Sequence, residues 1–440
     1  MDRSSSSLMQ PDKKRSSRSS SSSLNAIPPP LRKQPMRSCR LRATELNAGQ
    51  VKSGVIPTSG CPDESIESKI ISLPKEIMFN ILVLLPADVL YSVMRYLCFQ
   101  WCKIIHEPVF LNAHLLRSSA AGLFIQYRSA PHNAYYVDTG TRDVTVTRLN
   151  FQISCNVWAT CDGLVLISDR YVRKIPHLAD ERNRFDRKIL YITNPITKLQ
   201  VSLPPFKWCL LGSYFILARA RSTGEYKVVG TYQENGVWYC GIITVGKDLT
   251  WRTVDTQDIC VDKRRPLIHR PFSTRGYVYW ANMGRSNLFT LDVETEVFLE
   301  FPVPESSRQG RLIWYKEVGN FLGCMFWCSY SYVFEVLVLA DPKTGEWKNL
   351  YKFDLNGKRK MISLSLIKKT SPKNLELKPV AWVNNGEVVV FTTYDRASTS
   401  YIAYNVETGE TYSFDMCEQN RVTPFWCPHV NSLVSFHLPQ

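Results

Sequence analysis

Residues 288–302 read LFTLDVETEVFLEFP and hold the unit on which the fold turns. An apolar run leads into Asp292, two residues of no fixed type follow, Thr295 comes next, and a second apolar run leaves. Each half is short and rich in branched and aromatic side chains, the composition of a strand. Between the halves an Asp or Asn oxygen can cap the turn while a Thr hydroxyl bonds back, so the chain reverses into the next strand.

The same unit recurs as LYITNPITKLQVSLP (190–204, Asn194 and Thr197), LVLADPKTGEWKNL (337–350, Asp341 and Thr344) and YIAYNVETGETYSF (401–414, Asn405 and Thr408). A looser copy is YYVDTGTRDVTV around Asp138, and VGKDLTWRTV from Gly246 fills an equivalent slot with altered residues. Starts at 138, 194, 246, 292, 341 and 405 are 56, 52, 46, 49 and 64 residues apart. Strand-rich repeats of this length without long helices predict four-stranded blades around an axis, a kelch-like β-propeller of six blades, or seven. A β-sandwich whose hairpins share turn chemistry is the alternative, though a sandwich has no reason to repeat evenly. A ring must close, so the last apolar run, Ser432–His437 (SLVSFH), is expected to pair into the first blade near Gly122–Tyr127 or Tyr135–Asp138.

Ahead of the repeats lies LPKEIMFNILVLLPADVLYSVMRYLCFQWCKIIHEPVFLNAHL, residues 73–115. Apolar residues recur at helical spacing, with Pro86 and Pro108 as punctuation and Asp88 where an N-cap would sit. So short a block is apolar on more than one face and must cover itself with something else, either the rest of the chain or another protein. A plain buried helical hairpin is the bland reading.

The fold class is therefore mainly β with a small all-α module. The chain divides into a tail (1–65), the helical module (68–117) and the repeats (120–440). Residues 1–50 carry ten Lys/Arg against three acidic residues, a net +7 of the chain's +15. Eleven of the first 23 residues are Ser, and such a segment cannot bury enough surface to offset its ordering entropy, so disorder is expected. The early residues lack the apolar core of a secretory signal, and no run reaches membrane-spanning length, so no membrane partner is expected. A Ser/Arg-rich start also fits an organelle transit peptide. The charge of the body is too diffuse for a nucleic-acid surface. The thirteen Cys include no CxxC pair, so free thiols are expected, with no metal and no cofactor.

The ordered match of Leu73-Pro74, Ile77, Ile81-Leu82, Leu85-Pro86, Leu90, Val93, Cys98, Trp101, Ile105, Pro108 and Phe110 resembles an F-box, with Phe99 where a basic residue is usual. Followed by NPITK, LPP, GYVYW, LDVETE and a terminal SLV, the chain resembles the plant F-box-associated family, whose body is a kelch-type propeller. The resemblance implies a receptor subunit of a Skp–cullin–F-box ubiquitin ligase, in the cytoplasm or nucleus. It would dock on a Skp-type adaptor, and through it a cullin, while the propeller presents a protein target. The adaptor-binding residues it implies are Leu73, Pro74, Ile77, Ile81, Leu82, Leu85, Pro86, Leu90, Val93, Leu97, Trp101, Ile105 and Pro108.

No GxSxG, HExxH or Walker sequence is present, the seven His are scattered, and no catalytic residue is assigned. Asp292/Glu294 and Glu407/Glu410 could be drawn as glycosidase carboxylates, but their place in turn units accounts for them. Three segments, 169–188, 262–270 and 358–373, are rich in Lys and Arg. If they share a face, Arg173, Lys174, Arg184, Arg187, Lys263, Arg264 and Arg265 are candidates to meet an acidic or phosphorylated target; if not, they are solvated loops. Two rival functions remain open: a glycoside-active or oxidative propeller enzyme, and a non-degradative F-box scaffold or transcriptional co-regulator.

Overall fold

Strands come in fours, and the six turn units explain why. The computed structural model describes residues 73–117, 121–127, 134–139, 144–149, 155–169, 187–207, 213–255, 266–281, 287–304, 311–328, 332–358, 377–394, 399–415 and 424–435. Within these, six antiparallel four-stranded sheets form a six-bladed propeller. Their inner strands are Phe425–Val430 in blade 1, Cys155–Cys161 in blade 2, Phe215–Arg219 in blade 3, Phe272–Thr274 in blade 4, Arg311–Val318 in blade 5 and Leu377–Val383 in blade 6. Each packs on the next, and the last on the first, which closes the ring.

Every turn unit occupies the same place, the hairpin between the third and the outer strand of its blade. Asn194, Asp292, Asp341 and Asn405 each accept the backbone N–H two residues on through Oδ1, at 2.8, 2.9, 2.8 and 2.9 Å. The chain then turns through a left-handed residue: Lys198, Glu296, Gly345 or Gly409. Blade 3 departs from this. Asp248 caps from the far side, its carboxylate accepting Thr244 N–H at 2.7 Å. In blade 1, residues 140–143 of the turn lie outside the described residues.

The closing strand is not the expected one. Phe425–Val430, rather than Ser432–His437, pairs antiparallel with Ala121–Gln126, with Leu123 opposite Pro428. Proline lacks the N–H a central strand needs, but an inner edge strand pairs on one side only and tolerates it. Residues 431–435 are not a strand, and 436–440 lie outside the described residues.

Large side chains fill the spaces between sheets. Trp382 stacks on Tyr351 between blades 5 and 6 (5.8 Å), and Trp280 packs with Phe289 and Phe298. Polar ties cross the same boundaries: buried Gln126 of blade 1 bonds Cys155 O and Val157 N–H of blade 2. Lys227 of blade 3 donates to Val293 O and pairs with Glu296 of blade 4. The described cysteines are free thiols, with Cys155, Cys240 and Cys324 buried.

The helical module starts with α1 (Lys75–Leu82). A second run, α2, opens at Ala87–Val89, continues through a π-turn (Leu90–Met94) and ends with Arg95–Leu97. Then come α3 (Phe99–Ile105) and α4 (Pro108–Arg117). Pro74 and Pro86 stand at the N-caps of α1 and α2, where a missing N–H costs nothing. The small core joins Met78, Leu82, Val83, Leu90, Ile104, Ile105 and Phe110, and Leu433 from the far end of the chain completes it. The described residues of module and propeller belong to one compact unit. Among the described residues no helix is long and apolar enough to cross a membrane.

Candidate functional site

Helix α1 has two apolar faces. Met78 and Leu82, four apart, point into the module core, whereas Ile77 and Ile81, also four apart, are 46% and 44% exposed. Leu73 and Leu84 extend the outer stripe. At the α2–α3 corner Val93, Tyr96, Leu97 and Phe99 are exposed as well, Phe99 to 83%. Apolar side chains gathered on so small a module are the mark of a surface that another protein covers.

The thirteen residues expected to meet the adaptor divide accordingly. Leu73, Pro74, Ile77, Ile81, Pro86, Val93, Leu97 and Pro108 are exposed, and Leu85 and Trp101 are half-buried. Leu82, Leu90 and Ile105 are sealed in the module core, so they are not open to contact from outside. A binary apolar pattern does not separate the two classes on a helix that is greasy all round. Sequence reasoning missed Leu84, Tyr96 and Phe99; for Leu84 and Tyr96 the helical register beside Ile77, Ile81 and Val93 is the signal that finds them, whereas Phe99 lies past the extended residue Cys98 and has no such register.

Inside the module, His114 is buried and its Nε2–H donates to Leu85 O at 2.9 Å, tying α4 to the α1–α2 corner. Phe79 and Phe110 meet edge to face at 5.2 Å. The guanidinium of Arg95 lies 3.5 Å over the Tyr91 ring. Tyr91 in turn donates its hydroxyl to Thr197 O of blade 2 at 2.8 Å, so the module stands on the face that carries the turn units.

On that face the central channel opens into a cavity of about 690 Å³, bordered by Asn112, Leu115 and Leu116 of α4. Two of its arginines are paired with carboxylates. Arg219 sits 3.5 Å from Asp162, which also accepts the Tyr226 hydroxyl at 2.9 Å; Arg221 holds Asp292 at 2.7 Å. Burial raises the Asp162 carboxyl and the Cys161 thiol above their ordinary pKa values. The guanidinium of Arg275 lies over Phe321, 3.6 Å from the ring centre.

Of the four carboxylates that could be drawn for sugar chemistry, Asp292, Glu294 and Glu410 are taken up in structure and Glu407 is exposed. Asp292 binds Arg221, and Glu294 accepts the Ser222 backbone N–H at 3.1 Å and its hydroxyl, tying blade 4 to blade 3. Glu410 accepts the Tyr412 hydroxyl within its own hairpin. Cys102 Sγ approaches His106 Nδ1 at 3.7 Å, but that nitrogen already donates to Cys102 O on an exposed helix. Among the described residues no three His, Cys, Asp or Glu gather to hold a metal.

Of the basic candidates, Arg173, Lys174, Arg184, Lys263, Arg264 and Arg265 lie outside the described residues. Only the backbone of Arg187 is described, in a two-residue strand paired with Phe206–Lys207. The strands bracketing the three basic segments run second to third in blade 2, and outer to next inner after blades 3 and 5. The described start of the third segment does not point away from the turn units: Lys358 Nζ lies 5.5 Å from the ring centre of Tyr404 in blade 6, beside the turn residue Gly409.

Residues 119–432 match the family described as the F-box associated beta propeller domain. No curated protein sequence matches the chain. Among solved structures, TolB from Acinetobacter baumannii is similar at 12% identity, over 73% of this chain and 73% of that one, with a TM-score of 0.40. An oligogalacturonate lyase in complex with manganese is similar at 12% identity, over 67% of this chain and 74% of that one, with a TM-score of 0.36. Similarities this remote carry no functional argument. The family match spans well over half of the sequence, and its strands are those of the propeller; the chain belongs to the F-box-associated β-propeller family.

Proposed function

We propose that this protein is the target-recognition subunit of a Skp–cullin–F-box ubiquitin ligase, and that residues 73–117 are its F-box. The observation that carries the reading is the second apolar face of α1. Leu73, Ile77, Ile81 and Leu84 stay uncovered although the module packs on its own propeller. A helix–adaptor contact of this kind draws its affinity from buried aliphatic and aromatic anchors. The chain's part is geometric: it holds a target beside a partner's chemistry and so raises effective concentration.

The target would meet the propeller, with Arg173, Lys174, Arg184, Arg187, Lys263, Arg264 and Arg265 as the candidate contacts. Residues 358–373 alone have six Lys/Arg and no acidic residue, which favours an acidic or phosphorylated protein. Family membership supports a binding role over an enzymatic one. Action without degradation is the second reading; it is distinguished by asking whether a bound target becomes ubiquitylated.

Replacing Leu73-Pro74 with Ala-Ala in the full chain should abolish capture of a purified Skp-type adaptor and leave thermal unfolding of the propeller unchanged. Capture at full strength would refute the docking assignment.

A further inference from the structure

We infer that residues 431–435 are a strap that fixes the orientation of the helical module on the propeller, with Leu433 as its pin and Asn194 as its anchor. The closing strand ends at Val430. From there the chain crosses the first hairpin of blade 2, where Ser432 Oγ donates to Asp162 O at 2.5 Å. Gly163, at φ +85°, leaves the room, since a Cβ there would run into Ser432. Leu433 then enters the module core, 5% exposed, beside Leu82, Ile104 and Phe110.

Asn194 grips the strap on both sides of that pin. Its Nδ2 donates to Ser432 O at 3.0 Å and to Val434 O at 2.8 Å, while its Oδ1 accepts Ile196 N–H at 2.8 Å. The residue is fully buried. The same turn unit supplies Ile196, which packs on the module, and Thr197 O, which accepts the Tyr91 hydroxyl. Only three residues, 118–120, join α4 to the first blade, so the strap is a second, distant tether.

The amide is the telling choice. Asp292 and Asp341 cap the equivalent turns in blades 4 and 5, so a carboxylate meets every need of the turn itself. A carboxylate cannot donate to two carbonyls, and an amide can. Asn194 thus does one job that the repeat demands and a second that the repeat does not explain. The consequence is that ring closure and module orientation are one coupled event, completed only when the C-terminus is in place. This deepens the receptor reading, on which its functional meaning rests: target and adaptor surfaces are held at one fixed geometry.

Hydrogen exchange of the full chain tests it, comparing wild type with Asn194→Asp, Leu433→Ala, Leu433→Met and the control Asn405→Asp. Asn194→Asp keeps the turn cap and loses the grip; Leu433→Ala removes the pin. Both should raise amide exchange across 75–117 at least tenfold, with Phe215–Arg219 and Arg311–Val318 as protected as in wild type. Leu433→Met and Asn405→Asp should resemble wild type. Wild-type protection of the helices in both Asn194→Asp and Leu433→Ala would overturn the proposal, as would loss of protection in helices and blades together. A wild-type chain that binds no Skp-type adaptor would sink the receptor reading and leave this comparison standing.

Discussion

His429 lies on the closing strand, 2% exposed, with its ring edge to face against Phe124 and Tyr136 at 5.9 Å each. Neither ring nitrogen has a hydrogen-bond partner among the described residues. Burial pushes its pKa down to about 4, and pushes the neighbouring Tyr136 hydroxyl up to about 12, with Asp138 adding to the rise. An unfolded His titrates near 6.5. The folded state therefore prefers the neutral ring, and the stability it contributes is complete above pH 6.5 and lost as pH falls from there to about 4. The loss should come to about 3 kcal/mol. Urea unfolding at pH 7.5 and pH 4.5 should expose most of it in wild type. His429→Phe, which keeps a ring in place, should remove that part of the acid sensitivity; an unchanged acid loss would show that other groups govern it.

At the scale of elements, four of the six turn units were legible because their chemistry is local: an oxygen at one residue meets an N–H two residues on, whatever the rest of the chain does. Two matching units carry different energies. Asn405 caps an exposed hairpin by accepting Glu407 and Thr408 N–H at 2.9 and 3.0 Å, so Asn405→Ala should cost about 1 kcal/mol. Asn194 is buried and also holds two strap carbonyls, so Asn194→Ala should cost roughly 3 kcal/mol, since those carbonyls are left unpaired. Chemical unfolding of the two variants checks the ratio; equal costs would deny the strap its share. The strap itself was not legible. SLVSFH alternates like a strand, and nothing local says that Leu433 belongs with helices more than 300 residues earlier. The true closing strand was hidden by Pro428 and by a polar His that turns out to face aromatic rings.

Over the whole molecule, the repeat spacing gave the architecture and the blade count, because each copy marks one hairpin at a fixed place in one sheet. The candidate docking surface was legible as a region but not as a face. Leu82 and Ile81 are adjacent and equally apolar, yet only the packing of α1 on its neighbours decides that Leu82 is core and Ile81 is surface. The account predicts opposite roles for them: Leu82→Ala should unfold the module, costing about 2–5 kcal/mol as a core truncation, whereas Ile81→Asp should leave stability near wild type and weaken adaptor binding at least tenfold. Thermal unfolding and calorimetric titration separate the two.

The most direct test of the central claim is a hydrogen-exchange footprint of the full chain with and without a purified Skp-type adaptor. The account predicts new protection over residues 73–84 and 93–101, with the inner strands of all six blades unchanged. Protection confined to the blades, or none at saturating adaptor, would contradict it.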